Sequence, residues 1–325
     1  MKTPARSISA LEGGQGFRSS VMRGIMLLTL WAASVTAQTT AGKATSGPPR
    51  SAPSAITIPF QSARGRVMVP ARVNGSKPLS FMLDTGYTIT TVHPDLIEPL
   101  GLKRVGSITI VGIAGEEEAS TYEGATFDVG ELTYTPRRVA SLPSEAQERR
   151  QRRDGILGAG FFRRFVIEID SQAKTLRLHE PKSFYSTGPG EIIPFELRKD
   201  TPVVEAAIVL SGGRIVRGRF EVDTGCGDCL CLGHDFVQEN QLEAAAGETR
   251  DGEKQGVGGD VRIRHGHLPQ LKLGRLTIDD PAANFFLDGS PVDRGLAGHI
   301  GMGALGRFKV IFDYSRQRMI LESFP

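Results

Sequence analysis

Phe81-Met82-Leu83-Asp84-Thr85-Gly86 is matched further along the chain by Phe220-Glu221-Val222-Asp223-Thr224-Gly225, an offset of 139 residues (223 − 84). Each Asp-Thr-Gly follows directly on an apolar, strand-like run. A single such triplet is an ordinary turn sequence, but here a second feature repeats with it. The run 154–170, Asp-Gly-Ile-Leu-Gly-Ala-Gly-Phe-Phe-Arg-Arg-Phe-Val-Ile-Glu-Ile-Asp, aligns with 298–313, Gly-His-Ile-Gly-Met-Gly-Ala-Leu-Gly-Arg-Phe-Lys-Val-Ile-Phe-Asp. Gly158 corresponds to Gly301, Phe165 to Phe308 and Asp170 to Asp313, each 143 residues apart, so about four residues are inserted between the two anchors. Two copies of so long a unit do not make a solenoid; they predict two lobes folded against each other.

Composition and patterning agree with an all-β chain. Its 325 residues suffice for two domains with a substantial core. The 39 Gly and 19 Pro lie among short Val/Ile/Thr/Phe runs, which suggests strands and turns. Strands are expected at 56–60, 66–73, 80–83, 107–115, 119–129, 203–210 and 215–222, with Asn74-Gly75 and Ser211-Gly212-Gly213 as hairpin turns. A short helix is expected at 94–100, and 191–195 is expected to bridge the lobes.

The N-terminus reads differently. Residues 25–35 are apolar, follow Arg18 and Arg23, and end at Val35-Thr36-Ala37, the pattern of a secretory signal peptide over 1–37. An uncleaved anchor is the alternative, although the run is short for a membrane span. Residues 38–55, rich in Thr, Ala, Ser, Gly and Pro, read as a disordered linker. The lobes are then 56–185 and 186–325. Removing 1–37 takes away Lys2, Arg6, Arg18, Arg23 and Glu12, so the whole-chain charge of +3 becomes 35 basic against 35 acidic residues. That balance gives no support for a nucleic-acid-binding surface.

Two carboxylates on matching loops can be brought face to face to share one proton, which makes one an acid and the other a base. The paired motifs resemble those of the aspartic peptidases, both the bilobal pepsin-like enzymes and the single-lobed retroviral enzymes that work as homodimers. Asp154-Gly155-Ile156-Leu157-Gly158 is close to the pepsin-like pattern, and the closing run from Phe308 to Leu321 looks like the end of a pepsin-like second lobe. The resemblance covers about residues 56–325, and its compact spacing points to bacterial-style aspartyl proteases with retroviral-like features in both lobes.

The resemblance implies a bilobal, pepsin-like or double retropepsin-like fold with Asp84 and Asp223 as the catalytic dyad. It implies that Thr85 and Thr224 cross-brace the two loops, that Gly86 and Gly225 let the backbone approach the facing carboxylate, and that Ile156-Leu157-Gly158 and Ile300-Gly301 support the loops from behind. Val111, Gly112, Ile113, Ala114 and Gly115 resemble a retroviral flap tip, with Gly256-Val257-Gly258-Gly259 at the corresponding place in the second half; the alternative for each is a plain surface hairpin. The implied partner is an extended polypeptide substrate, and the implied protein is a secreted or periplasmic, monomeric endopeptidase without cofactor. A peptidase-like module that binds peptides without cleaving them is the rival reading, and a homodimer using one Asp per chain is made unnecessary by the duplication.

Several features depart from the family pattern. Tyr87 and Cys226 stand where a small residue usually follows each triplet, which removes a hydroxyl donor from beside each carboxylate and is expected to raise the lower ionisation of the dyad. In the second copy of the apolar pair the Leu of the first is replaced, and the order reads His299-Ile300-Gly301. The three cysteines, Cys226, Cys229 and Cys231, allow one local disulfide with a free thiol or none; no His or fourth Cys follows at zinc-site spacing, so no metal is expected. His265 and His267 alternate along an expected strand that faces solvent. Glu148-Arg149-Arg150-Gln151-Arg152-Arg153 reads as a solvated loop or a processing site.

Overall fold

The computed structural model describes residues 55–142, 153–186, 188–288, 292 and 295–325. The leader, nearly all of the linker and most of the basic run 148–153 lie outside the described residues. Among those described, no helix is long and apolar enough to cross a membrane.

Among the described residues, strands dominate and form three sheets. The two larger ones contain ten strands each and repeat the same order, one in each half of the chain. At the centre of the first, Leu79–Leu83 runs parallel to Gly155–Leu157, with Phe81 opposite Gly155 and Leu83 opposite Leu157. In the second, Ile215–Asp223 runs parallel to Gly298–Gly301, with Phe220 opposite Gly298 and Val222 opposite Ile300. These registers reproduce the two sequence offsets, 139 on one strand and 143 on the other. Parallel neighbours buried on both faces need near-continuous apolar runs, and Phe81, Leu83, Ile156, Leu157, Phe220, Val222 and Ile300 are all inaccessible to solvent.

The third sheet has six strands and is shared between the halves. The first half contributes Ile56–Pro59, Val166–Asp170 and Thr175–His179; the second contributes Glu191–Pro194, Phe308–Asp313 and Arg318–Ser323. The halves join where Val166–Asp170 pairs antiparallel with Phe308–Asp313, with Ile167 opposite Phe312 and Ile169 opposite Val310. The repeated Asp170 and Asp313 close the turns leaving these two strands: Asp170 Oδ1 accepts from Ala173 N, and fully buried Asp313 is bonded by Arg316 and Arg318. One apolar core runs through both lobes and this sheet, with Phe162 packed edge-on against Phe312 across the junction.

The expected strands are present with shifted ends. Asn74 and Gly75 both take positive φ, as a tight hairpin turn requires, and Ser211–Gly213, as a 3-10 turn, lies in the loop of the hairpin in which Val209 stands opposite Ile215. The helix stops at Ile97. Expected strands 107–115 and 119–129 resolve into the hairpin Lys103–Gly112 and Gly115–Glu123 and the separate short strand Phe127–Val129. The expected bridge at 191–195 is an edge strand of the shared sheet, paired with Arg318–Ser323.

Candidate active site

Each Asp-Thr-Gly leaves the C-terminal end of a central strand, and strand pairing fixes where it goes. Asp84 N donates to Leu157 O at 3.1 Å, so the Ile156-Leu157 strand holds the loop from behind. Within each loop the glycine N–H returns to the aspartate: Gly86 N to Asp84 Oδ1 and Gly225 N to Asp223 Oδ1, both 2.8 Å.

The loops are locked together by reciprocal bonds. Thr85 N donates to Thr224 Oγ1 and Thr224 N donates to Thr85 Oγ1, both at 3.0 Å. Each hydroxyl then donates across the lobe boundary, Thr85 Oγ1 to Val222 O at 2.6 Å and Thr224 Oγ1 to Leu83 O at 2.9 Å. Both threonines are fully buried, so a hydroxyl that accepts one bond and donates another satisfies polar groups that water cannot reach. Arg66 Nε adds a 2.7 Å bond to Gly225 O.

This brace places the carboxylates against the opposite loop. A Cβ on Gly225 would overlap the Asp84 carboxylate, and one on Gly86 would come within 3.0 Å of Asp223 Oδ1; only glycine leaves room. Burial, and then the facing Asp223 charge, push the Asp84 carboxyl up to about 8, against the pull of Arg153 and the Gly86 N–H. Asp84 is 4% exposed.

Two hairpin tips meet each other. In the first, Lys103–Gly112 and Gly115–Glu123 flank Ile113-Ala114; in the second, Arg250–Gly256 and Gly259–His267 flank Val257-Gly258. Ala114 N donates to Val257 O at 3.1 Å and Gly258 N to Glu117 Oε1 at 2.9 Å. Gly112 lies so close to Val257 that any side chain there would collide with it. Each tip reaches across to the opposite half: Val257 packs in the cluster with Tyr87 and Ile89, and Ile113 in the cluster with Cys226 and Cys231. Gly112, Ile113, Ala114, Gly115, Gly258 and Gly259 therefore belong to one junction, and Val257, in the same Gly-rich run as Gly258 and Gly259, is its central contact.

The residue after the second triplet has a different setting from the first. Cys226 and Cys231 are buried thiols with sulfurs 3.8 Å apart, and no cysteine is in a disulfide. His299 is buried with Nδ1 3.7 Å from Asp223 Oδ2. Cys231 and His299 are direct cross-strand partners. A hydrogen bond from Cys231 lowers the Cys226 thiol well below its usual range, with His299 and Lys254 adding to it against burial. Burial pulls the imidazolium down, yet the Cys226 thiolate and then Asp223 bring it up to about 9. His299 thus occupies space beside Asp223, where no donor was expected from the residues next to the triplet. His265, half-buried, has Nδ1 2.6 Å from Asn284 Oδ1, while His267 is exposed.

Residues 69–161 match the family described as aspartyl protease. No curated protein matches the chain at a significant level. Among solved structures, the aspartic proteinase from Irpex lacteus is similar with a TM-score of 0.56 and 14% identity over 83% of this chain and 97% of that one. The first lobe carries the aspartyl protease family signature, and the chain has the all-β, bilobal fold of an aspartic proteinase.

Proposed function

We propose that the chain is an aspartic endopeptidase that hydrolyses peptide bonds with a water activated between Asp84 and Asp223. The observation that carries this reading is the reciprocal threonine brace, which sets two carboxyl groups on opposed loops with Asp84 held protonated near neutral pH. Two such groups share one proton and titrate as a unit. With the proton on Asp84, Asp223 takes a proton from the water as it attacks the peptide carbonyl, and Asp84 donates to the developing oxyanion. Collapse of the tetrahedral species passes a proton to the leaving nitrogen, and no covalent intermediate forms. An extended peptide lies beneath the paired hairpin tips, which offer backbone N–H and C=O groups to it.

The test is digestion of a peptide library by the purified chain across pH, with and without a statine-type transition-state analogue. Cleavage that the analogue blocks supports the reading. Saturable peptide binding without cleavage at any pH would instead identify a binding module.

Export is part of the same proposal, with a separate test. Trp31, inside the leader, is the chain's only tryptophan, so a processed protein lacks tryptophan emission. Emission from the purified exported form would mean a retained leader.

A further inference from the structure

We propose that Cys226, Cys231 and His299 form a binding site for a thiophilic divalent cation, zinc in the first place. The inference is independent of the peptidase reading. The sulfurs and a ring nitrogen of His299 all lie within 4.8 Å of one another, and all three residues are buried. With Zn–S bonds of about 2.3 Å, two thiolates on a tetrahedral ion sit about 3.8 Å apart, which is the observed separation. Asp228 Oδ2 lies 3.7 Å from one sulfur and 3.8 Å from the other, close to the roughly 3.6 Å that a carboxylate oxygen would have on the same ion.

A second observation points to a ligand. His299 Nε2 is buried with no hydrogen-bond partner, an expensive state for an imidazole nitrogen. A third lies in the duplication. Strand registers equate Cys231 with Thr91 and His299 with Ile156, while Cys226 and Tyr87 each follow their triplet directly. The first half therefore holds Tyr87, Thr91 and Ile156, and the second half holds a ligating residue type at all three positions.

Charge and chemistry select the ion. Two thiolates in a buried pocket carry two negative charges, which a dication and a neutral imidazole balance, and the two protons that Cys226, Cys231 and His299 hold between them pass to solvent on binding. The neighbouring cation, Lys254, lies 3.6 Å from Cys226 Sγ and is paired with Asp228, so that pair is neutral by itself. Sulfur ligands favour zinc over calcium or magnesium. Cys229 is excluded, because its side chain packs in the main core.

The experiment is titration of the reduced, chelator-treated chain with Zn²⁺, and with Co²⁺ as a spectroscopic substitute. Bound metal, thiolate-to-cobalt charge-transfer absorption and the melting temperature are read together. We expect one metal per chain, the charge-transfer band and a raised melting temperature. Cys229→Ser should keep all three, and Cys226→Ser and Cys231→Ser should each lose the band. His299→Ala should bind at least about tenfold more weakly. If a cysteine variant fails to fold, the wild-type band and zinc-induced melting shift decide alone. Absence of both in the reduced wild type would overturn the proposal, as would a band unchanged in folded Cys226→Ser. A Cys226–Cys231 disulfide that re-forms in preference to metal uptake would also overturn it.

Discussion

At the scale of single residues, the site depends on groups whose burial leaves them no solvent alternative. Asp84→Asn and Asp223→Asn each remove one partner of a shared proton, and each should lower turnover by at least about 10²-fold with the fold retained. Near-normal turnover in either variant would rule out the two-carboxylate mechanism. The protonated state of Asp84 also has a stability consequence. Its carboxyl is raised to about 8 in the folded chain, against roughly 3.9 when unfolded. Between those values the folded state binds the extra proton, so this contribution is fully present below about pH 4 and is lost as pH rises through 8. Wild type should therefore lose melting temperature from mildly acidic pH to pH 8 and above more steeply than Asp84→Asn. Equal slopes would mean that Asp84 ionises freely in the fold.

At the scale of elements, the threonine brace and the paired hairpins do different work. Thr85→Val leaves Val222 O without its donor and Thr224 N without its acceptor, in a region closed to water. A cost of about 1–3 kcal/mol per unsatisfied group follows. Denaturant unfolding of Thr85→Val and Thr224→Val should show similar losses, because their bonding is symmetric, and a loss in only one would mean that the loops are not equivalent. The hairpin tips touch mainly each other and the opposite half. Gly112→Val collides with Val257 and should hold the tips apart, lowering kcat/KM by about tenfold or more with little change in melting temperature. An unchanged kcat/KM would show that the tips take no part in turnover.

At the scale of the whole molecule, the lobes share a sheet and so cannot separate without breaking backbone pairing. A fragment covering 56–185 would leave Val166–Asp170 as an open edge, with Ile167 and Ile169 deprived of Phe312 and Val310. Such an edge is a template for another strand, so the fragment should self-associate, as read by light scattering; a folded monomer would mean that the first lobe is autonomous. Turnover should survive EDTA, since every proposed catalytic step uses only the carboxylates and water. Loss of turnover in chelator with the melting temperature unchanged would place a metal in the reaction.

The sequence by itself determined the duplication, the all-β class and the pairing of Asp84 with Asp223. These rest on local patterns that repeat: an apolar run entering Asp-Thr-Gly, and an apolar pair ending in Gly. Their two offsets reappear as strand registers because a parallel partner must be buried along its whole length. The hairpin tips were legible as Gly-rich turns, but their meeting was not. Val257 acquires its role only from a residue in the other half, and no local pattern encodes that contact. The same holds for His299. It lies 68 residues beyond Cys231 (299 − 231), far from any zinc-site spacing, and becomes its direct neighbour because antiparallel pairing places them opposite each other. Local propensity is written along the chain, whereas a cluster built across strands exists only once register and lobe packing are set.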